Sequence, residues 1–324
     1  MHYLFRKIRR RLSRSNARTD GGTSSGKNGF LDSDFIRSMP YCGIPFALMA
    51  LAVYGAIGWN FLISFTDMQG FGQPDYSHLS LHNYVAAFTN TGPPPIWHQL
   101  QNTIVLLVVF TTLCLAIGLV LAIMLDRKIR FKNTFRSIYL LPMSLSFVVT
   151  AQFWLWMYNN SHGIINTILK SIGISNPPHW IGNPSLSLGA VIFALIWQFS
   201  GYAMVVYLAG LRSIPSAQFE AARIDGATTA RMYWRVIIPQ LRASTVSAAV
   251  VLMVFALKAF SFLYALTGGF NPPAGTDILA TKMVRAAFKK LNWSYGAAIG
   301  VILFALALAV IGPYLATQYR RGAL

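Results

Sequence analysis

Apolar residues do not alternate with polar ones along this chain; they run together in six stretches, at 41–65, 102–125, 138–158, 186–209, 245–266 and 297–316. Each is long enough for a helix crossing about 30 Å of hydrocarbon, which takes roughly 20 residues. Helices are the expected form, because inside lipid a single helix satisfies its own backbone N–H and C=O groups. The pattern therefore predicts an all-α integral membrane protein with six transmembrane helices. Only one run, 245–266, holds a charged residue, Lys258.

The polar connections supply the orientation, because short loops rich in Lys and Arg stay cytoplasmic. Residues 1–40 carry nine such residues, and Arg127, Lys128, Arg130, Lys132 and Arg136 follow the second run. Arg212, Arg223, Arg231, Arg235 and Arg242 crowd the connection 210–244, and Arg320 and Arg321 follow the last run. Six crossings put all of these on one side. The chain is thus expected in a prokaryotic cell membrane with both termini cytoplasmic. The connection 267–296 runs against the pattern with Lys282, Arg285, Lys289 and Lys290.

Composition sharpens this reading. The net charge of +18 would suggest nucleic acid in a soluble protein, but here the basic residues fall between apolar runs, in a chain that is 55% hydrophobic and 11% charged. No nucleic-acid partner is expected, and membrane lipid is. Cys42 and Cys114 lack neighbouring His or Cys at metal-ligand spacing and read as packing residues. The domain plan is a flexible basic tail (1–40), which has no apolar core for a cleaved signal, a six-span body (41–316) and a short tail (317–324).

The loop 210–244 holds the sharpest local motif. Pro215 suits the first turn of a helix, Gly226 after Asp225 suits a left-handed C-terminal cap, and Thr228 can cap a second helix running toward Pro239. Two short helices hinged at Gly226 are expected. Glu220, on the first of them, is the only glutamate in the sequence.

With Glu220, Ala221, Ala222, Asp225, Gly226, Ala227, Ile238 and Pro239, this loop resembles the signature of the binding-protein-dependent permeases of ATP-binding cassette importers, in the form of their carbohydrate branch. Asn83, Tyr84, Trp97, Asn102, Thr103, Leu141, Pro142, Trp156, Gly163, Asn166, Trp180, Thr267, Gly268, Gly269 and Pro272 extend the resemblance. The family usually has a third glycine before that proline and an aspartate where Ser261 stands.

The resemblance implies the type I importer permease fold, with the loop acting as a coupling helix on a nucleotide-binding subunit. It implies as partners a second homologous permease chain, two copies of the ATP-binding subunit, an extracytoplasmic solute-binding protein and a carbohydrate substrate. ATP and magnesium would reside in the partner subunit, leaving no cofactor or catalytic residue here. It also places sugar-facing positions at Tyr202, Phe255, Ala256 and Ala259.

Other readings rest on the residues alone. Lys258 at membrane depth must face protein or a watery cavity, either as a polar group on the sugar path or as a structural lysine that snorkels or pairs with a backbone carbonyl, and Trp197 is a further candidate for stacking. Lys282, Arg285 and Lys289, spaced by three and four, would share one helix face that either steers an acidic surface of the solute-binding protein or meets lipid headgroups. Residues 21–27, GGTSSGK, fit phosphate-loop spacing, yet Asn28 stands where Ser or Thr would meet magnesium, so no nucleotide site is expected there. An intramembrane enzyme would need a nucleophile or metal ligands within the runs, and all six histidines lie outside them. A secondary transporter or channel is the remaining alternative, although the runs hold no Asp or Glu for ion coupling.

Overall fold

The structure, a computed structural model, describes residues 34–89, 95–127 and 130–320. The GGTSSGK segment, most of the basic tail, Lys128 and Arg321 lie outside the described residues. In chain order the helices are α1 (Asp34–Ile63), α2 (His82–Phe88), α3 (Trp97–Asp126), α4 (Lys132–Leu140, continued by a 3-10 turn Leu141–Ser144), α5 (Phe147–Met157), α6 (Ile164–Ser171) and α7 (Pro184–Ser213). There follow α8 (Ser216–Ile224), α9 (Thr229–Met232, joined through a π turn Tyr233–Ile237 to α10, Ile238–Gln240), α11 (Arg242–Leu257), α12 (Phe260–Thr267), α13 (Leu279–Val284, continued by a π turn Arg285–Lys289) and α14 (Trp293–Arg320). The chain divides into two units between Ile57 and Gly58, and the packing below belongs to the second.

Four helices are long and apolar enough to cross a membrane, within α1, α3, α7 and α14; two bent pairs, counted as one span each, bring the number to six. The packing traces the course of the chain after α1. Phe110 of α3 meets Phe199 of α7, Gly118 meets Ala203, and Leu125 clusters with Leu208 and Leu211. Numbers rise together on the two helices, so α3 and α7 are parallel, and α4 with α5 must return the chain once between them. From the end of α7 the chain returns through α11 and α12, reaching Thr103 near the start of α3 at Leu279. α14 starts there, with Tyr295 and Ile299 packed beside Ile96.

Small residues allow the parallel pair its close approach, as in lipid-embedded helix packing. A Cβ on Gly118 would collide with Ala203 and lie 2.8 Å from the Met204 nitrogen. Phe199 then fills the centre, stacked on Phe255 at 4.6 Å between ring centroids and flanked by Phe110 and Phe147.

Three boundaries differ from the sequence reading. α1 begins at Asp34, so helix reaches into the expected tail. The run 138–158 bends by 99° between the Leu141–Ser144 turn and α5. Pro142 lacks the N–H that would continue the helix, and Ser146 starts a new one by accepting from the Val149 N–H at 3.3 Å. The run 245–266 is also broken: α11 stops at Leu257 and α12 starts at Phe260, which leaves Lys258 exposed at the break instead of within a helix.

Candidate functional site

The α7–α11 loop is built as two short helices around Gly226, whose φ of +74° is the left-handed conformation that glycine adopts without a Cβ penalty. The Gly226 N–H reaches Arg223 O at 3.1 Å and the Ala227 N–H reaches Ala222 O at 3.0 Å, closing the end of α8. Thr228 then caps α9 by accepting from the Arg231 N–H at 3.4 Å.

Burial makes the loop a plug and not a tether. Ala222, Met232, Ile237 and Leu241 are buried with Leu125 of α3 and with Leu208 and Leu211 of α7. Phe219 packs edge-on against Tyr233, and Gln240 Nε2 donates to Gln218 Oε1 at 2.5 Å, tying α10 back to α8. Movement of this loop is therefore coupled to the ends of two spans. Glu220, Ala221, Asp225 and Gly226 stay exposed, and Ala227 is half-buried. Sequence reasoning missed Ile224 and Trp234, which stand 85% and 76% exposed on the same loop. Apolar character alone does not single them out, because Phe219, Met232, Ile237 and Leu241 on the same loop are apolar too and turn inward.

Of the expected path residues, Tyr202 and Phe255 come together, 6.5 Å apart and nearly perpendicular, both half-buried. Ala256 and Ala259 are buried in the core around Phe199. Trp197 belongs elsewhere, stacked on Phe153 at 5.6 Å and edge-on to Trp154. Five residues along a helix is about 140° around its axis, which separates Trp197 from Tyr202.

The cationic face expected from Lys282, Arg285 and Lys289 does not form. Lys282 is 5% exposed, and its Nζ donates to Pro95 O at 3.0 Å and Gln99 Oε1 at 3.4 Å. Arg285 makes a two-point pair with Asp277, at 2.6 and 3.2 Å, and donates to Phe270 O at 3.2 Å. Lys289 alone of the three is exposed. The reason is the counter-charge at Asp277, which the spacing argument ignored, together with the π turn that replaces regular helix after Val284.

Asp277 organises this end of the molecule. It accepts from Gln99 Nε2 at 2.9 Å and from the Thr281 hydroxyl at 2.7 Å, while Asn102 Nδ2 donates to its backbone oxygen at 2.9 Å. Thr103 accepts from the Leu279 N–H, and Asn83 holds the carbonyls of Ser64 and Thr66 at 3.0 and 2.7 Å. Trp180 donates to Asn166 at 2.7 Å. Several polar residues that carried the resemblance thus pin connections to helix ends.

Comparison with known proteins agrees with this architecture. The family described as binding-protein-dependent transport system inner membrane component matches residues 114–321. The chain is similar to the xylose/arabinose import permease protein XacH of Haloferax volcanii, 61% identical over 94% of each chain. It is also 47% identical to a probable ABC transporter permease protein, PH1215, of Pyrococcus horikoshii, over 84% of this chain and 92% of that one. Among solved structures, a chain of a bacterial alginate ABC transporter, crystallised with its alginate pentasaccharide-bound periplasmic protein, superposes with a TM-score of 0.73 at 20% identity, covering 89% of this chain and 96% of that chain.

Proposed function

This chain belongs to the family of binding-protein-dependent transport system inner membrane components, and from that membership we propose that it is the permease subunit of an ATP-driven sugar importer that accepts xylose or arabinose. The pentose assignment rests on the similarity to XacH. The chain is a multi-pass membrane protein whose role is passage of solute, not chemistry upon it. An extracytoplasmic solute-binding protein delivers the sugar, two ATP-binding subunits hold ATP and magnesium, and a second, homologous permease chain completes the pore.

The observation that carries the mechanism is the two-helix loop hinged at Gly226, buried on one face against α3 and α7 and exposed at Glu220, Ile224 and Trp234 on the other. Exposed apolar side chains on one short loop with the carboxylates Glu220 and Asp225 are suited to a cleft in a partner, where Ile224 and Trp234 are buried and Glu220 meets a basic group. Closure of the ATP-binding subunits displaces that cleft. Because Ala222, Met232 and Ile237 are packed against the ends of two spans, the displacement passes to them as rigid-body rocking. Tyr202, within α7, and Phe255, in the last turn of α11, offer ring faces on which a sugar can stack.

The loop face lies in the cytoplasm in this reading, with Arg231 inside and His82 outside. Uptake of labelled xylose and arabinose in cells lacking the chain tests the assignment. Wild type should restore it, and Glu220→Lys should not, at equal membrane abundance. Uptake of both pentoses that is independent of the chain would remove the substrate assignment, and normal uptake with Glu220→Lys would remove the coupling role.

A further inference from the structure

The connection from α5 to α7 carries the short helix α6, and about 100° of rotation per residue divides its positions into three arcs. One arc faces the protein: Ile165 packs on the core, Leu169 is half-buried and Asn166 is buried. The second is polar and exposed, with Thr167, Lys170 and Ser171. The third holds Ile164, Ile168 and Ile172, spaced by four, and the turn that closes the helix, where the Ile174 N–H reaches Leu169 O at 3.0 Å, adds Ile174. These four isoleucines stand 41, 55, 68 and 43% exposed.

Depth decides what covers them. Asn166 accepts from the Trp180 indole at 2.7 Å, and that ring lies 5.9 Å from Tyr158, whose hydroxyl donates to Ala190 O at 2.9 Å. Asn166 also donates to the carbonyl of Asn159, just after α5, at 3.4 Å. α6 is thereby tied to α7 at Ala190, about 9 Å along the helix from its start at Pro184. α7 has 30 residues, about 45 Å, so when centred on about 30 Å of hydrocarbon it projects by about 7 Å at each end. The tie at Ala190 therefore falls at the boundary between headgroups and acyl chains.

We propose that α6 is an interfacial helix, with its isoleucine stripe inserted among the lipids at that boundary and its polar arc turned to water. Protein on one arc, water on the second and lipid on the third is the partition of an amphipathic helix lying in the membrane plane. A soluble protein docking from the aqueous side would meet Thr167 and Lys170 and not the isoleucines. Seated this way, α6 holds the connection into α7 at the membrane boundary. The inference rests on the chain's membrane location alone, so it stands or falls independently of the substrate and of the coupling loop.

Nitroxide labels on single cysteines, in the full chain lacking Cys42 and Cys114 and reconstituted in phospholipid discs, provide the test. Power saturation compares access of oxygen, which concentrates among acyl chains, with access of a water-soluble nickel chelate. The ratio of oxygen to chelate access should be about tenfold higher for Ile168→Cys and Ile172→Cys than for Thr167→Cys and Lys170→Cys. All four side chains are exposed, so the labels leave the packing intact. Equal ratios at the four positions would put the stripe in water and overturn the proposal. Closure of positions 168 and 172 to both reagents would mean that a second copy of this chain covers them, and would overturn it equally.

Discussion

Lys282 is a cation held almost entirely out of water, and its proton is a thermodynamic probe of that position. Burial pulls its pKa down from 10.5 to about 8; Asp277 opposes the shift, and Arg285 and Lys290 add to it. Between those two values the unfolded chain binds the proton and the folded one does not. Stability should therefore rise with pH from about 8 to 10.5, while the penalty for the buried ammonium is fully present below 8. Melting of wild type and Lys282→Gln across this range checks it: the difference between them should move in favour of wild type, and parallel curves would exclude Lys282 as the source. Its neighbour gives a second prediction. Asp277→Asn leaves Arg285 desolvated without its partner and should cost about 3 kcal/mol in chemical denaturation. Adding Arg285→Gln should recover part of that loss, and no recovery would mean that the carboxylate acts chiefly through Gln99 and Thr281.

At the scale of elements, two glycines have different jobs. Gly226 is needed for its dihedral angle, because an L-residue at a φ of +74° costs about 1–2 kcal/mol and a β-branched one more. Asparagine visits that region readily, so Gly226→Asn should keep most of the sugar uptake and Gly226→Val should lose it, with both proteins inserted in the membrane. Equal uptake by the two would show that the hinge angle is not used. Gly118 is needed for its size. The hinge was legible because Asp225, Gly226 and Thr228 are local signals read within a few residues. The π turns at 233–237 and 285–289 were not, since they arise where buried residues such as Ile237 and Ala286 must meet neighbours far away in sequence.

For the whole molecule, the parallel course of α3 and α7 makes a statement about sides. The loop holding Arg231 and the loops holding His82 and Asn176 lie at opposite ends of these helices. Single cysteines at these three positions, in a background lacking Cys42 and Cys114, should react with an impermeant thiol reagent from one side for 231 and from the other for 82 and 176. Labelling of 82 and 231 from the same side would break the six-span arrangement.

Six apolar runs, a biased charge distribution and the Glu220 to Pro239 motif were enough to specify a six-span importer permease and its hinged loop. Those features are read by lipid or by the local backbone, and each depends on residues close together in the chain. The sequence could not place the bend before α5, the break at Lys258, the separation of Trp197 from Tyr202 or the inward turn of Lys282 and Arg285. The bend has a local cause in Pro142 and Ser146, which a run of apolar residues does not register; the others depend on a partner distant in sequence or on which side of a helix a neighbour occupies. Gln99, 178 residues before Asp277, is the example: only folding brings that amide to the carboxylate, and with it the cations that spacing alone had turned outward.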